Sequence, residues 1–305
     1  MKTWIAGAVL FSLVGLVSAA PDELEDAYAK LKEAQTKKDA DEVKKWSAET
    51  SKLARALVNA PQPTDASEVD AWKQRVEYGK EVDAYTEYAL SATAMQGIEA
   101  AKVITLVEAL EAQNPKSKYL DECAGSYLAA LEKQGGEAKQ FAAANQLIAA
   151  TPNNEFVLLA LASGNQGRKS PDKALNYANK LVTVMKSKPK PEGLPQADWD
   201  RRKTVMLGRG YWIAGVISGE KQAWVDCDRN LRAALPLIGK EPSMAGAAYF
   251  YLGLSNYQLG KMVGDKTKMQ EAVKFSDQAV AIPGPYSQPA YRNSMAIKAE
   301  LSGRR

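Results

Sequence analysis

Histidine is absent from all 305 residues. The commonest general base and the commonest metal ligand are therefore both missing. Cysteine occurs only at Cys123 and Cys227, so no Cys or His cluster has zinc spacing. Windows that alternate with period two are few, and β-branched clusters are sparse, which argues against a sheet. After the first apolar run, no stretch approaches the roughly 20 apolar residues of a membrane-crossing helix. The chain is not short of core material, however. Hydrophobic residues make up 46% and aromatic residues 8%, as in an ordered, folded protein and not a disordered one.

The N-terminus reads as a targeting segment. Lys2 precedes an apolar run from about Ile5 to Val17, and Ser18, Ala19 and Ala20 follow it directly. This is the layout of a secretory signal peptide. Cleavage after Ala19 leaves Val17 and Ala19 at the small-residue positions and keeps Pro21 off the first mature site. No cysteine follows the run, so a lipid anchor is not expected. Residues 1–19 are assigned to the signal peptide, and the mature chain is expected to be exported, periplasmic or secreted.

Charge is divided along the chain. Residues 21–167 hold 16 Lys plus Arg against 24 Asp plus Glu, whereas residues 168–305 hold 23 against 12. Either these are ordinary solvated helix faces, or the second half presents a basic surface that attracts an anionic partner over a Debye length of roughly 10 Å. For an exported chain the anionic partner is an acidic protein, an anionic glycan or a lipid headgroup, and not nucleic acid.

Apolar residues recur at three- and four-residue spacing almost throughout, which predicts an all-α chain. "DELEDAYAKLKEA" is one helix, with acids in the first turn where the helix dipole favours them. "DADEVKKWSAETSKLARALVNA" is the next, ended by "PQP" at 61–63. Thr64 or Asp65 then caps a long helix whose buried stripe runs through Val69, Trp72, Val76, Gly79 and Val82 toward Met95. Beyond it, breaks fall at Asn114–Pro115, Gly135–Gly136, Thr151–Pro152, Lys188–Pro195, Ser218–Gly219, Gly239–Pro242 and Pro283–Pro285. Short links of this kind force neighbouring helices to pack antiparallel.

The stretch "NNEFVLLALASGNQGRKSPDKALNYANKL" places Leu158, Leu161, Ala162 and Asn165 in a first helix and Ala174, Ala178 and Leu181 in a second. Pro152 stops the helix before it, and Asn153 and Asn154 are good caps for the next. With this spacing the stretch resembles the tetratricopeptide repeat, a helix-turn-helix unit of about 34 residues. Residues 87–115 fit through Leu90, Ser91, Ala94, Val103, Val107, Leu110 and Pro115. Residues 118–150 fit through Leu120, Cys123, Ala124 and Tyr127. Leu207, Gly208 and Tyr211 fit with Cys227, Leu231 and Ala234 after an insertion. Tyr249, Leu252 and Gly253 fit with Ala272, Ser276, Ala279 and Pro283.

The resemblance implies a right-handed solenoid of antiparallel helix hairpins. Its expected parts are an N-terminal helical cap over 20–82, repeats over 83–285 and a C-terminal capping helix over 286–305. Small side chains such as Ala162, Ala174 and Gly253 would sit where paired helices meet.

No stretch carries a convincing catalytic pattern. "GKMVGDKT" (260–267) has the wrong glycine spacing for a phosphate loop and no strand before it, and "GRGYWIAG" lacks the third glycine of a dinucleotide fingerprint. The acidic pairs Asp22–Glu23 and Asp121–Glu122 and the "DADE" run read as first-turn helix charges. Cys123 and Cys227 fall where the repeat wants a small core residue, so buried free thiols are expected and no disulfide. A catalytic thiol would lack a histidine to activate it. No cofactor or metal is implied, and a non-catalytic role is expected.

The resemblance further implies a concave groove lined by set positions of each first helix. In this chain they are Tyr85, Tyr88 and Met95, then Phe156 and Leu159, then Arg202, Val205, Arg209 and Trp212, then Ala247, Phe250, Leu254 and Tyr257. Aromatics and arginine dominate binding hot spots, so Tyr85, Tyr88, Phe156, Arg202, Arg209, Trp212, Phe250 and Tyr257 are the candidate partner-binding residues. The alternative is that these side chains pack against neighbouring helices. Lys and Asn, which the family's carboxylate clamp needs, are replaced by Leu159 and Ser163. The implied partner is a protein or peptide, with acidic character suited to the basic half, and the alternative is an envelope glycan stacked on aromatic platforms. N-terminal sequencing of the exported protein should begin at Ala20. A mature chain that retains residues 1–19 contradicts the leader.

Overall fold

A computed structural model describes residues 20–239 and 241–303 of the chain. The leader assigned to residues 1–19 lies outside them. The described residues form twelve α-helices and one short 3-10 turn, with no strand, so the all-α expectation holds.

The chain divides into two compact units, one up to Asn154 and one from Glu155. The first holds α1 (Ala20–Lys37), α2 (Ala40–Val58), α3 (Val69–Ala94), α4 (Ala100–Gln113) and α5 (Tyr119–Leu147). α5 is two arms: Gly136 leaves helical geometry at φ 68°, ψ −175°, and Gln140 reaches back to donate to the carbonyl of Leu128. The second unit holds α6 (Glu155–Gly167), α7 (Pro171–Ser187), α8 (Gln196–Glu220), α9 (Trp224–Ala234), α10 (Pro242–Val263), α11 (Lys266–Val280) and α12 (Ser287–Leu301). In both units each helix packs on its sequence neighbours and on certain helices two away, as short connections require.

Four hairpins are closed by links of two or three residues that share one backbone pattern. A left-handed residue opens the pattern: Lys38 (φ 58°), Lys169 (φ 55°), Gln222 (φ 60°) or Gly264 (φ 69°). The amide of the next residue then donates to the carbonyl five positions back: Asp39 to Ala34 at 3.0 Å, Ser170 to Asn165 at 2.9 Å, Ala223 to Ser218 at 2.8 Å and Asp265 to Gly260 at 2.9 Å. This is the Schellman closure of a helix C-terminus. Two of the links then start the second helix with an aspartate cap. Asp39 accepts from the amides of Asp41 and Glu42, and Asp265 accepts from those of Thr267 and Lys268.

Small side chains set the spacing between paired helices. Ala162, Ala174, Ala178 and Ala214 are fully buried and form one cluster with Ile213 and Ile217. A Cβ on Gly253 would stand 2.6 Å from the Ser276 hydroxyl and 3.3 Å from the Ala272 carbonyl on α11. In the first unit Leu90, Val103, Val107, Leu110, Leu120, Cys123 and Ala124 are all buried. The residues that carry the repeat spacing in the sequence therefore lie mostly between helices.

Three details depart from the sequence reading. The boundary set at residue 82 falls inside the continuous helix α3, because Val82 and its neighbours continue α3's packing face. The break expected at Ser218–Gly219 comes later, at 221–223, since α8 runs on to Glu220; Gly219 is small because the Tyr251 ring lies against it. Met95 does not end a buried stripe: it caps α3 and is 42% exposed. Asp65, one of the two expected caps, accepts from the Ser67 amide and opens the 3-10 turn Ala66–Glu68 that leads into α3.

The links and the crossings make opposite predictions. A side chain in the left-handed region carries strain that glycine avoids. Lys169→Gly and Gln222→Gly should each raise stability by about 0.5–1 kcal/mol. Gly253→Val should lower it by about 3 kcal/mol through overpacking. Urea unfolding followed by circular dichroism reads both, and a neutral Gly253→Val would show that the helices can part freely at that crossing.

Candidate functional site

The eight candidate residues fall into separate neighbourhoods, two in the first unit and six in the second. In the first unit, Tyr85 and Tyr88 lie half-buried on α3 within a four-ring ladder across α1, α3 and α5. Ring centroids are 5.1 Å apart for Tyr28–Tyr85, 5.7 Å for Tyr85–Tyr88 and 5.8 Å for Tyr88–Tyr119. The Tyr85 hydroxyl donates to the Gln35 side-chain oxygen. Lys32 sits 3.7 Å over the Tyr28 ring and Lys118 4.9 Å over the Tyr119 ring, as cations favour aromatic faces. Burial pushes the Tyr28 phenol up to about 12 and raises that of Tyr85, so both rings stay neutral near neutral pH.

Tyr28 and Tyr119 were not among the sequence candidates. Tyr28 lies ten residues before the left-handed Lys38, as Trp212 lies ten before Gln222. Aligning the hairpins on their links would have found it.

In the second unit, α6 and α8 bring Phe156, Arg202 and Arg209 to one region. The Arg202 guanidinium lies 5.2 Å over the Phe156 ring. It also stands 3.6 Å from the carboxylate of Glu155, which is 2% exposed and whose other oxygen accepts from the Lys188 ammonium at 2.5 Å. The buried acid thus anchors Arg202 in place, and a charge so desolvated needs such partners. A shallow depression of about 290 Å³ opens beside them, lined by Phe156, Asp198, Arg201, Arg202, Val205 and Met206. Val205 is 43% exposed. Arg209 is exposed two turns beyond Arg202 on α8, so the two share a helix face.

The other three candidates are engaged within the fold. The Trp212 indole donates to the Met244 carbonyl at 2.9 Å, and its ring fills the gap between two core clusters. Phe250 packs against Tyr251 and Tyr286, with centroids 5.1 and 5.3 Å away. The Tyr257 hydroxyl donates to Glu300 at 2.7 Å and accepts from Lys261 at 3.3 Å.

Both thiols are free and buried, Cys123 in α5 and Cys227 in α9. Burial pushes them up to about 11 and about 12, far from the thiolate form that nucleophilic chemistry needs. Among the described residues, no group of three or more Cys, Asp or Glu is placed to hold a metal ion, and no helix is long and apolar enough to cross a membrane.

One polar node could not be anticipated, because its members are far apart in sequence. Arg232 on α9 donates to Asp228 at 2.9 Å, to both carboxylate oxygens of Glu271 and to the Asn256 side-chain oxygen at 3.2 Å. Asn256 in turn donates to Asp228 at 2.6 Å, and the guanidinium lies over the Phe275 ring. α9, α10 and α11 are thereby tied together.

The chain matches no family model, and it matches no curated protein.

The node gives the second unit a pH dependence. The hydrogen bond from Arg232 holds the Glu271 carboxyl below its usual range. At Asp277 burial raises the value, but the Ser294 hydroxyl and the Lys298 ammonium outweigh it and the net direction is down. A depressed carboxyl contributes stability that is full above its unfolded value, near 4, and is lost as pH falls through the lower folded value. The urea midpoint should therefore fall as pH drops from about 5 toward 3. Glu271→Gln should lower the neutral midpoint and flatten part of that slope; an unchanged slope would remove Glu271 from the account.

Proposed function

We propose that the chain is an exported, non-catalytic scaffold of tetratricopeptide-like hairpins. It binds an acidic segment of a protein or peptide on the α6–α8 face. The observation that carries this reading is the stacked Phe156–Arg202 pair, open to solvent beside Val205, with Arg209 two turns along the same face.

The packing supports such a face. In the second unit α6, α8, α10 and α12 touch in succession, whereas α7, α9 and α11 touch only the helices of that first layer. A layer whose members converge, backed by one whose members are spread, favours a surface that curves around the converging side. The six candidate residues of this unit belong to the converging layer. Arg202 is pre-oriented by Glu155, which lowers the entropy cost of engaging a carboxylate, and an exposed Arg209 adds a second positive group at a helical spacing. Right-handed solenoid winding and residence in the periplasm or outside the cell complete the reading. They rest on the repeat spacing and on the leader.

A glycan is the weaker partner. Sugars stack on flat, accessible rings, but the tyrosines of the first unit meet one another at interplanar angles of 54° to 82°, and the ladder is half-buried.

Crosslinking in the native envelope, followed by affinity capture, tests the reading. The wild-type chain should recover a partner that Arg209→Glu and Val205→Ser each weaken by about tenfold or more, the scale of an interface anchor. Both positions are exposed, so the helical spectrum and unfolding midpoint should not move. A partner captured equally by all three chains would place binding elsewhere, and no capture at all would end the proposal.

A further inference from the structure

Helices two apart in the second unit run parallel, because each is separated from the next by an antiparallel partner. The links α6–α7, α8–α9 and α10–α11 therefore lie along one edge. The stretch at 260–267 that fails as a phosphate loop forms the last of them. There Met262 and Val263 are 74% and 73% exposed, the highest values among the large apolar side chains of the described residues. Val225, in the first turn of α9 at the neighbouring link, is 65% exposed. Lysines accompany them: Lys266 and Lys268 open α11, and Lys169 and Lys173 flank the α6–α7 link, with Lys266, Lys169 and Lys173 exposed.

Most carboxylates on this edge are already engaged. Asp172 pairs with Lys221, Asp226 with Arg229 and Glu300 with Lys261. Asp265 is occupied as the cap of α11. Glu220 is the exposed acid left among them.

We propose that this edge docks the protein on an anionic lipid surface. Met262 and Val263 enter the interfacial layer, and Lys169, Lys173, Lys266 and Lys268 face the headgroups. Met262 and Val263 project from the last turn of α10, and the depression of about 480 Å³ at the other two links, lined by Gln166, Lys169, Pro171, Ile217 and Glu220, does not include them. The two side chains fit a soft planar interface, into which side chains insert one by one, and a surrounding set of cations is the complement of acidic headgroups. No helix among the described residues can cross the bilayer, so the attachment is peripheral and reversible. The edge lies apart from the Phe156–Arg209 face, and the inference stands without it.

Vesicle co-sedimentation tests the proposal. The chain is purified after export, with the absence of residues 1–19 confirmed by mass, since an apolar leader would bind lipid by itself. It should bind phosphatidylcholine vesicles that contain phosphatidylglycerol, release at high salt and ignore phosphatidylcholine alone. The double change Lys266→Glu with Lys268→Glu should weaken binding by at least about tenfold. Met262→Ser with Val263→Ser should do the same through lost apolar insertion. Met262, Val263 and Lys266 are exposed and Lys268 is half-buried, and unchanged circular dichroism verifies the fold. Failure to bind the anionic vesicles, equal binding to neutral ones, or wild-type binding by both double variants overturns the proposal. So does retention on an immobilised acidic protein without any vesicle binding, which would assign the edge to a protein partner instead.

Discussion

Close approach between paired helices is the constraint on which the second unit depends. At Gly253 the helix α11 comes so near that a single methyl group would collide with the Ser276 hydroxyl at 2.6 Å and press on the α11 backbone at 3.2 and 3.3 Å. At the α6–α7–α8 crossing, alanines 162, 174, 178 and 214 do the same work with one carbon each. Packed interiors tolerate little change of volume, so these side chains decide how near the helices lie. They also decide how the larger residues around them, Ile213, Ile217 and Trp212, can interlock.

That spacing is why part of the fold could be read from sequence. Ala162, Ala174, Ala178 and Leu181 recur at helical intervals, and their smallness next to leucines is itself a statement about distance. Pro152, Pro195 and Pro283 mark breaks because proline cannot continue a ladder of amide hydrogen bonds. Other glycines misled. Gly219 resembles a stop near a helix end, yet it makes room for Tyr251. The helical spacing through Val76, Gly79 and Val82 already ran one helix toward Met95, and α3 is that helix, Val69–Ala94.

The candidate face was legible only as a set of helix positions. Those positions are alike in sequence, but their fates differ with what stands opposite. Trp212 meets the Met244 carbonyl and is held; Arg209, one turn earlier, meets solvent. Glu155, which fixes Arg202, could not be found by pattern, because its partner Lys188 is 33 residues away. The Arg232 node escapes for the same reason: it links residues up to 39 apart. Long-range polar partnerships leave no periodic trace, whereas apolar faces do.

The alternating packing of the second unit has a mechanical corollary. Each helix leans only on companions one or two places along the chain, and three of this unit's links close on purely local amide bonds. Tension applied between Glu155 and Leu301 would therefore not meet one shared core that yields all at once. It would peel the terminal helix first and then the hairpins in turn, each detachment lengthening the chain by one increment, as packing confined to neighbours along the chain implies. Such a chain behaves as a spring with discrete steps.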